Sequence, residues 1–316
     1  MSLPAIECVR RGVANARANW ELVLAQWVGL TLSAILTVAS VLPLLFLIGF
    51  AGFTALRSPQ DISQWVSDWG GRFVTELFAF SVPMALALIA VVAIGTLGMI
   101  VWCFFQAGMY GVLVAGDRQS PAGPPGDWRL FRTFTAENFR GWGASHVWRF
   151  FWFFNLVLML FTVLFAGFIL LAGLVALAGQ AWGGVAAVGV GCGGVLPLFF
   201  LMLLMGLWVG VAQADLANSD SSLRVASRRA RRVLGKRLGG LLLIMLLGMV
   251  ASVVVSMVFV PLSLGIDLAF RDAMFGGLVL KGVMYLVQWG VSGALQVALA
   301  ASLVALVRDE AREEVR

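Results

Sequence analysis

Three aspartates stand where long apolar runs end: Asp117, Asp215 and Asp309, 98 and then 94 residues apart. A carboxylate at the carboxyl end of a helix opposes the helix dipole, so each needs a partner or a purpose. A ring of such acids would suit the mouth of a pathway through the protein. The structural alternative is that each caps the next helix or pairs with a nearby arginine, Arg118, Arg224 or Arg308, and the sequence favours it. A second chemistry is carried by Ser222–Arg237, which holds Arg224, Arg228, Arg229, Arg231, Arg232, Lys236 and Arg237 and no acid. On a helix, Leu223, Ala226, Ala230, Val233 and Leu234 fall on one stripe and the basic residues take the remaining faces. Such a helix, hard against an apolar run, suits the phosphates of an anionic leaflet. Arg129, Arg132 and Arg140 form a second basic set, interleaved with Leu130, Phe131, Phe134, Phe139 and Trp142.

Catalytic residues are not evident. His146 is the one histidine in the chain, so imidazoles cannot build a metal cluster. Ser145 precedes it, but adjacent residues on a helix do not face each other, and no acid follows at a useful spacing. The glycines at 183, 184, 189, 191, 193 and 194 lack the lysine of a phosphate loop and read as close helix packing. Cys8, Cys103 and Cys192 have neither disulfide nor metal spacing and read as small buried hydrophobes. Within the apolar runs the polar candidates are Gln106, Asn155, Gln213, Gln288 and Gln296, whose expected work is hydrogen bonding between helices. No enzyme, metal or cofactor is expected. An enzyme would need acids such as Asp117 and Asp215 to converge on one pocket.

The elements that carry these groups are set by hydropathy. The chain is 61% hydrophobic and 12% charged, with a mean hydropathy of +0.95, whereas soluble domains are about 25% charged. Six apolar runs each exceed the ~20 residues that cross a bilayer: about 22–56, 77–116, 147–178, 184–216, 238–268 and 275–307. Pro43 predicts a bend or break late in the first run. Trp65 and Trp69, in the connection over 57–76, suit an interface belt. The connection 179–183 is so short that the third and fourth runs must form a tight antiparallel hairpin. Lys281 lies where a long side chain can reach headgroups. Ahead of the first run, Ile6, Val9, Val13, Ala16 and Trp20 are spaced as the apolar stripe of a helix, with Arg10, Arg11 and Arg17 off it. This reads as a weaker copy of Ser222–Arg237. No signal peptide is expected, because the first run is much longer than an h-region.

Eighteen of the 22 basic residues fall on one side of this layout, so the positive-inside rule puts both ends in the cytoplasm. The net charge of +6 therefore points to membrane lipid. Nucleic acid is not an expected partner, because no basic domain lies free of the membrane. One unit, a basic helix followed by two spans, appears three times, over about 1–117, 118–217 and 218–309, with a short polar tail over 310–316. Gly108–Asp117 matches Gly206–Asp215 most closely. The expected fold is all-α: one polytopic membrane domain of six transmembrane helices, built as three parallel repeats with basic amphipathic interfacial helices on the cytoplasmic side.

The stretch Leu223–Leu243 carries Ala226, Ser227, a basic cluster and then a leucine-rich span. It resembles the recurrent pattern of bacterial six-span proteins of the glycerophosphodiester phosphodiesterase membrane-domain type. The resemblance implies a bacterial inner-membrane protein without a known catalytic site. Some such proteins carry a soluble phosphodiesterase domain; nine residues follow Val307 here, so that activity is not implied. The expected function is a non-enzymatic protein that engages anionic phospholipid, or a membrane partner or second copy of itself. Transport of a neutral or apolar solute, motivated by the repeat, the span prolines and the glycine-rich fourth run, is the alternative.

Overall fold

A computed structural model of the chain describes residues 3–55, 81–121, 126–218, 222–270 and 274–315. Among these residues the fold is entirely helical. The order is α1 (Ala5–Ala18), α2 (Glu21–Ala55), α3 (Ser81–Gln119), a 3-10 turn (Trp128–Phe131), α4 (Ala136–Trp182), α5 (Gly184–Asn218), α6 (Leu223–Ala269) and α7 (Met274–Val315). The last six α-helices are long and apolar enough to cross a membrane. The expected tryptophan belt at Trp65 and Trp69 lies outside the described residues.

Local chemistry explains three boundaries. Asp127 accepts from the Arg129 amide at 2.9 Å to start the 3-10 turn, and Thr135 accepts from the Asn138 amide at 3.0 Å to start α4. Both are oxygen side chains satisfying orphan amides of a first turn. Gly183 alone joins α4 to α5, at φ 85° and ψ 175°, a conformation open essentially to glycine. The expected hairpin therefore forms. Two boundaries differ from expectation. α2 continues past Pro43 to Ala55 without a break. The basic-aromatic segment after Thr135 is one unbroken helix with its span, 47 residues, or about 70 Å at 1.5 Å per residue. The basic segment over 223–236 is set off instead: at Arg237 the backbone leaves the helical region (φ −121°, ψ 23°) before the span resumes.

Two compact units are formed. Residues 28–102 make one, in which a Cβ on Gly98 would stand 3.2 Å from Leu36 Cβ, so α2 and α3 approach closely. The rest of the chain makes the other. Its packing is uneven along the helices. Buried side chains gather over 103–120, 207–217 and 297–310, with one face each of α1 and of 226–233. Half of the apolar window of α7 is buried, against 11–22% for the other spans, so α7 is the packing centre. The middle of the α4–α5 hairpin exposes Met159, Phe165, Leu170, Phe199 and their neighbours. Apolar surface on this scale needs a surrounding without water, whereas helices with all their backbone groups bonded internally are at ease in lipid.

The glycines do less packing than their number suggests. A Cβ on Gly194 would meet the Leu171 side chain and one on Gly191 would touch Val175, but those on Gly183, Gly184, Gly189 and Gly193 would meet nothing within 4 Å. Close approach is concentrated elsewhere. A Cβ on Gly108 would stand 2.7 Å from the Phe139 ring, one on Gly111 would meet Trp142, and one on Gly143 would stand 2.7 Å from the Phe104 ring. These three small residues let α3 and the start of α4 cross at close range.

Candidate functional site

Where the helix ends meet, the charged residues sort into one buried cluster, one half-buried cluster and one exposed stripe. The first cluster is centred on Asp117, at the end of α3. Arg11 of α1 grips Asp117 Oδ1 through Nε at 3.2 Å and Nη2 at 2.8 Å, and Arg308 of α7 donates to Oδ2. Arg11 also donates to Ser120 Oγ at 2.5 Å and to the Pro121 carbonyl at 2.8 Å, with the Phe131 ring 5.2 Å away. Arg11 and Asp117 are each 2% exposed. Charge-assisted hydrogen bonds from two guanidiniums make burial of this carboxylate tolerable.

The second cluster closes α7 against α6 and the start of α1. Arg237 donates to Glu310 Oε2 at 3.0 Å, to Asp309 Oδ2 at 3.1 Å and to the Leu3 carbonyl. Lys236 donates to Glu310 Oε1 at 2.7 Å, and the Leu3 amide donates to Asp309 at 2.8 Å. The backbone departure at Arg237 thus coincides with the residue that ties three elements together. Cys8 lies within reach of both clusters: burial first, then the Asp309 carboxylate, pushes its thiol up to about 11. An asparagine pair completes the seating of α1. Asn15 donates to the Leu113 carbonyl, and Asn19 donates to the Phe131 carbonyl while accepting from the Thr133 and Phe134 amides, all at 2.8–2.9 Å.

Each of the three aspartates has arginine partners of its own, though mostly not the ones named in advance. Asp117 takes Arg11 and Arg308, Asp215 lies 3.8 Å from Arg229, and Asp309 takes Arg237. Arg118 instead bonds to the carbonyl and side chain of Asn218. The basic residues expected at lipid headgroups also divide. Arg237 is held internally, Lys236 and Arg229 each face an acid, and Arg132 pairs with Glu21 and donates to the Ala18 carbonyl. Arg129 lies 5.8 Å from the Trp128 ring. Arg140, Arg224, Arg228, Arg231 and Arg232 are exposed. Arg224, Arg228 and Arg231 follow i, i+4, i+7 spacing, about 200° around the helix from the buried Ala226, Ala230 and Val233. That places three cations on one outward stripe.

Reading the sequence missed Arg11, Asn15 and Glu310. For α1 the signal was present: Cys8, Arg11, Gly12, Asn15 and Ala18 also recur at helical spacing, and they are the face that is buried. The apolar stripe points outward, with Ile6, Val13 and Trp20 46–54% exposed. α1 is therefore the reverse of Ser222–Arg237, not a weaker copy, because polar partners wait on the elements it packs against. Ser145 and His146 also depart from expectation. Their Oγ and Nδ1 stand 2.7 Å apart, while Ser145 Oγ reaches the Gly141 carbonyl at 2.8 Å and the imidazole lies along Trp142, centroids 4.9 Å apart. Cys8 and Cys103 are buried as expected, but Cys192 is exposed. Among the neutral polar candidates, Gln213 accepts from Tyr110 Oη at 2.9 Å and Gln296 accepts from Gln26 at 3.2 Å. Asn155 bonds within its own helix, to the Phe151 carbonyl. Lys281 of α7 pairs with Asp267 of α6.

Six long apolar helices, with their apolar side chains turned outward, define a multi-pass membrane protein. No family model, curated protein or solved structure matches the chain.

Proposed function

We propose that this protein is a non-enzymatic membrane protein that engages anionic phospholipid through the amphipathic start of α6. One observation carries the reading: Arg224, Arg228 and Arg231 form an exposed stripe on a segment whose opposite stripe is buried and whose backbone departs from its span at Arg237. A helix fixed in this way holds its cations at a constant height beside the bilayer, where each is worth about 1 kcal/mol near an anionic surface. The distribution of basic residues supports a bacterial inner-membrane location with both ends cytoplasmic. The resemblance of Leu223–Leu243 to the phosphodiesterase membrane-domain type agrees with that placement.

The threefold organisation belongs to the same reading and has its own support. The start of α4 packs on the end of α3 through Gly108, Gly111 and Gly143. The start of α6 packs on the end of α5, with Trp208 Nε1 donating to the Ser227 carbonyl at 3.4 Å. α1 packs on the end of α7, where a Cβ on Gly12 would stand 2.5 Å from the Ser302 amide nitrogen. Each basic helix thus rests on the end of an even-numbered span, and the first closes the cycle on the last.

Native mass spectrometry of the full chain, gently solubilised in the presence of phosphatidylglycerol, tests the proposal and reports subunit count in the same spectrum. Wild type is expected to retain phosphatidylglycerol in defined stoichiometry. The triple variant Arg224→Gln, Arg228→Gln, Arg231→Gln should lose most of it, and retention should fall with added salt. Equal retention by the variant would refute the role of the stripe.

A further inference from the structure

A groove of about 590 Å³ lies between α3 and the first turns of α4, lined by Phe104, Ala136, Glu137, Arg140, Gly141 and Ala144. Its size is within the ~300–1,000 Å³ of small-molecule sites. One wall is rigid: the Phe104 ring packs edge-on against Phe105 at 5.8 Å and Phe139 at 6.0 Å, and closes over Gly143. The opposite wall is kept open by small residues, since a Cβ on Gly141 would meet nothing within 4 Å. At the rim, Glu137 and Arg140 stand three residues apart on one exposed face. Among the described residues neither has a hydrogen-bond or ion-pair partner, and they do not pair with each other. The groove therefore offers an apolar trough and two unlike charges side by side.

We propose that this groove binds one phospholipid with a phosphoethanolamine headgroup. The phosphate accepts from the Arg140 guanidinium, the primary ammonium donates to the Glu137 carboxylate, and an acyl chain lies along Phe104, Gly141 and Ala144. Charge complementarity selects this headgroup. Phosphatidylglycerol brings a phosphate but no cation for Glu137, and a choline headgroup has no N–H to donate to it. The α6 stripe, with no acid within Ser222–Arg237, has the opposite preference. The groove and the stripe use different residues, so either can fail without the other.

The test is competition in the full chain. Protein in non-ionic detergent is incubated with equal amounts of phosphatidylethanolamine, phosphatidylglycerol and phosphatidylcholine of the same acyl composition, and bound lipid is counted by native mass spectrometry. In the triple variant of the α6 arginines, which silences the stripe, one phosphatidylethanolamine should remain, favoured about threefold to fivefold over the other two, as an exposed ion pair allows. On that background Glu137→Gln should abolish the preference while leaving binding, and Arg140→Gln should weaken all three lipids. Ala144→Phe, at an exposed position, should fill the trough and release the lipid without lowering the melting temperature. Glycerophosphoethanolamine, which has no acyl chains, should not compete. Equal retention of the three lipids, an unchanged preference in Glu137→Gln, or effective competition by glycerophosphoethanolamine would each overturn the proposal.

Discussion

α1 and the first half of α6 both carry an apolar stripe and a set of basic residues, and they are seated in opposite senses. α6 buries Ala226, Ala230 and Val233 and exposes Arg224, Arg228 and Arg231. α1 and the two residues after it bury Arg11, Asn15 and Asn19 and expose Ile6, Val13 and Trp20. The difference lies in what each helix meets. Against α6 stands Trp208, a buried apolar ring near the end of α5, whose Nε1 donates to the Ser227 carbonyl at 3.4 Å. Against α1 stand the Asp117 carboxylate and the carbonyls of Leu113, Pro121 and Phe131. An amphipathic helix thus presents whichever face its neighbours can satisfy. In a membrane protein the discarded apolar face has lipid to go to, so a polar-inward helix is as permissible as an apolar-inward one.

The largest effect expected from breaking this contrast is at the polar interface of α1. Asp117→Asn leaves the buried Arg11 and the half-buried Arg308 without their shared anion. Removing one partner of a buried pair typically costs about 3–5 kcal/mol, so the melting temperature in detergent should fall steeply. The corresponding change on the outward stripe of α6, Arg228→Gln, should move it by less than about 0.5 kcal/mol. Equal losses in the two variants would mean the two faces are not used differently.

Cys8 gives a kinetic measure of the same seating. A thiol raised to about 11 is about one part in a thousand thiolate at pH 8, roughly two hundredfold less than an ordinary cysteine with a pKa near 8.5. Because the thiolate is the nucleophile, alkylation should be slow at pH 8 and rise about tenfold per pH unit up to pH 10. Asp309→Asn, which removes a carboxylate that raises the thiol and also loosens the second cluster, should speed it at fixed pH. Rapid labelling at Cys8 itself at pH 8, read by peptide mass spectrometry apart from the exposed Cys192, would show that α1 is not held as described.

A smaller and oppositely signed pair comes from glycine. A Cβ on Gly12 would stand 2.5 Å from the Ser302 amide nitrogen and 2.7 Å from its Cα, while one on Gly235 would meet nothing within 4 Å. Gly12→Ala should destabilise by about 1–3 kcal/mol, the usual cost of overpacking. Gly235→Ala, in an open helical position, should stabilise by about 0.5–1 kcal/mol. Thermal unfolding of the two variants in one detergent reads both signs.

The spans were legible because bilayer length and hydropathy act on some twenty residues at once, so no single residue decides them. The α4–α5 hairpin was legible because five residues over 179–183 leave no other path. The buried stripe of Ser222–Arg237 was legible because small and apolar residues share it. What escaped depends on partners distant in sequence. Arg11 meets Asp117 across 106 residues and Arg237 meets Glu310 across 73, and no local spacing shows which arginine is an internal strut and which is a surface cation. The Ser145–His146 contact escaped for a different reason: the rule that neighbours diverge describes Cβ directions, and a hydroxyl folded back on the Gly141 carbonyl still comes within reach of the ring beside it.

The opposed seating of the two helices is most directly tested with nitroxide labels, one at Val13 and one at Arg228, each introduced through a single cysteine in the full chain reconstituted in bilayers. Accessibility to oxygen, which concentrates in lipid, and to a water-soluble nickel chelate is then compared at the two sites. At Val13 oxygen should be the more effective relaxant, and at Arg228 the nickel chelate, with both labels mobile enough to show outward positions. A label at Val13 that is immobile, or that meets the nickel chelate more readily than oxygen, would contradict the account by showing that the apolar stripe of α1 is packed or wet.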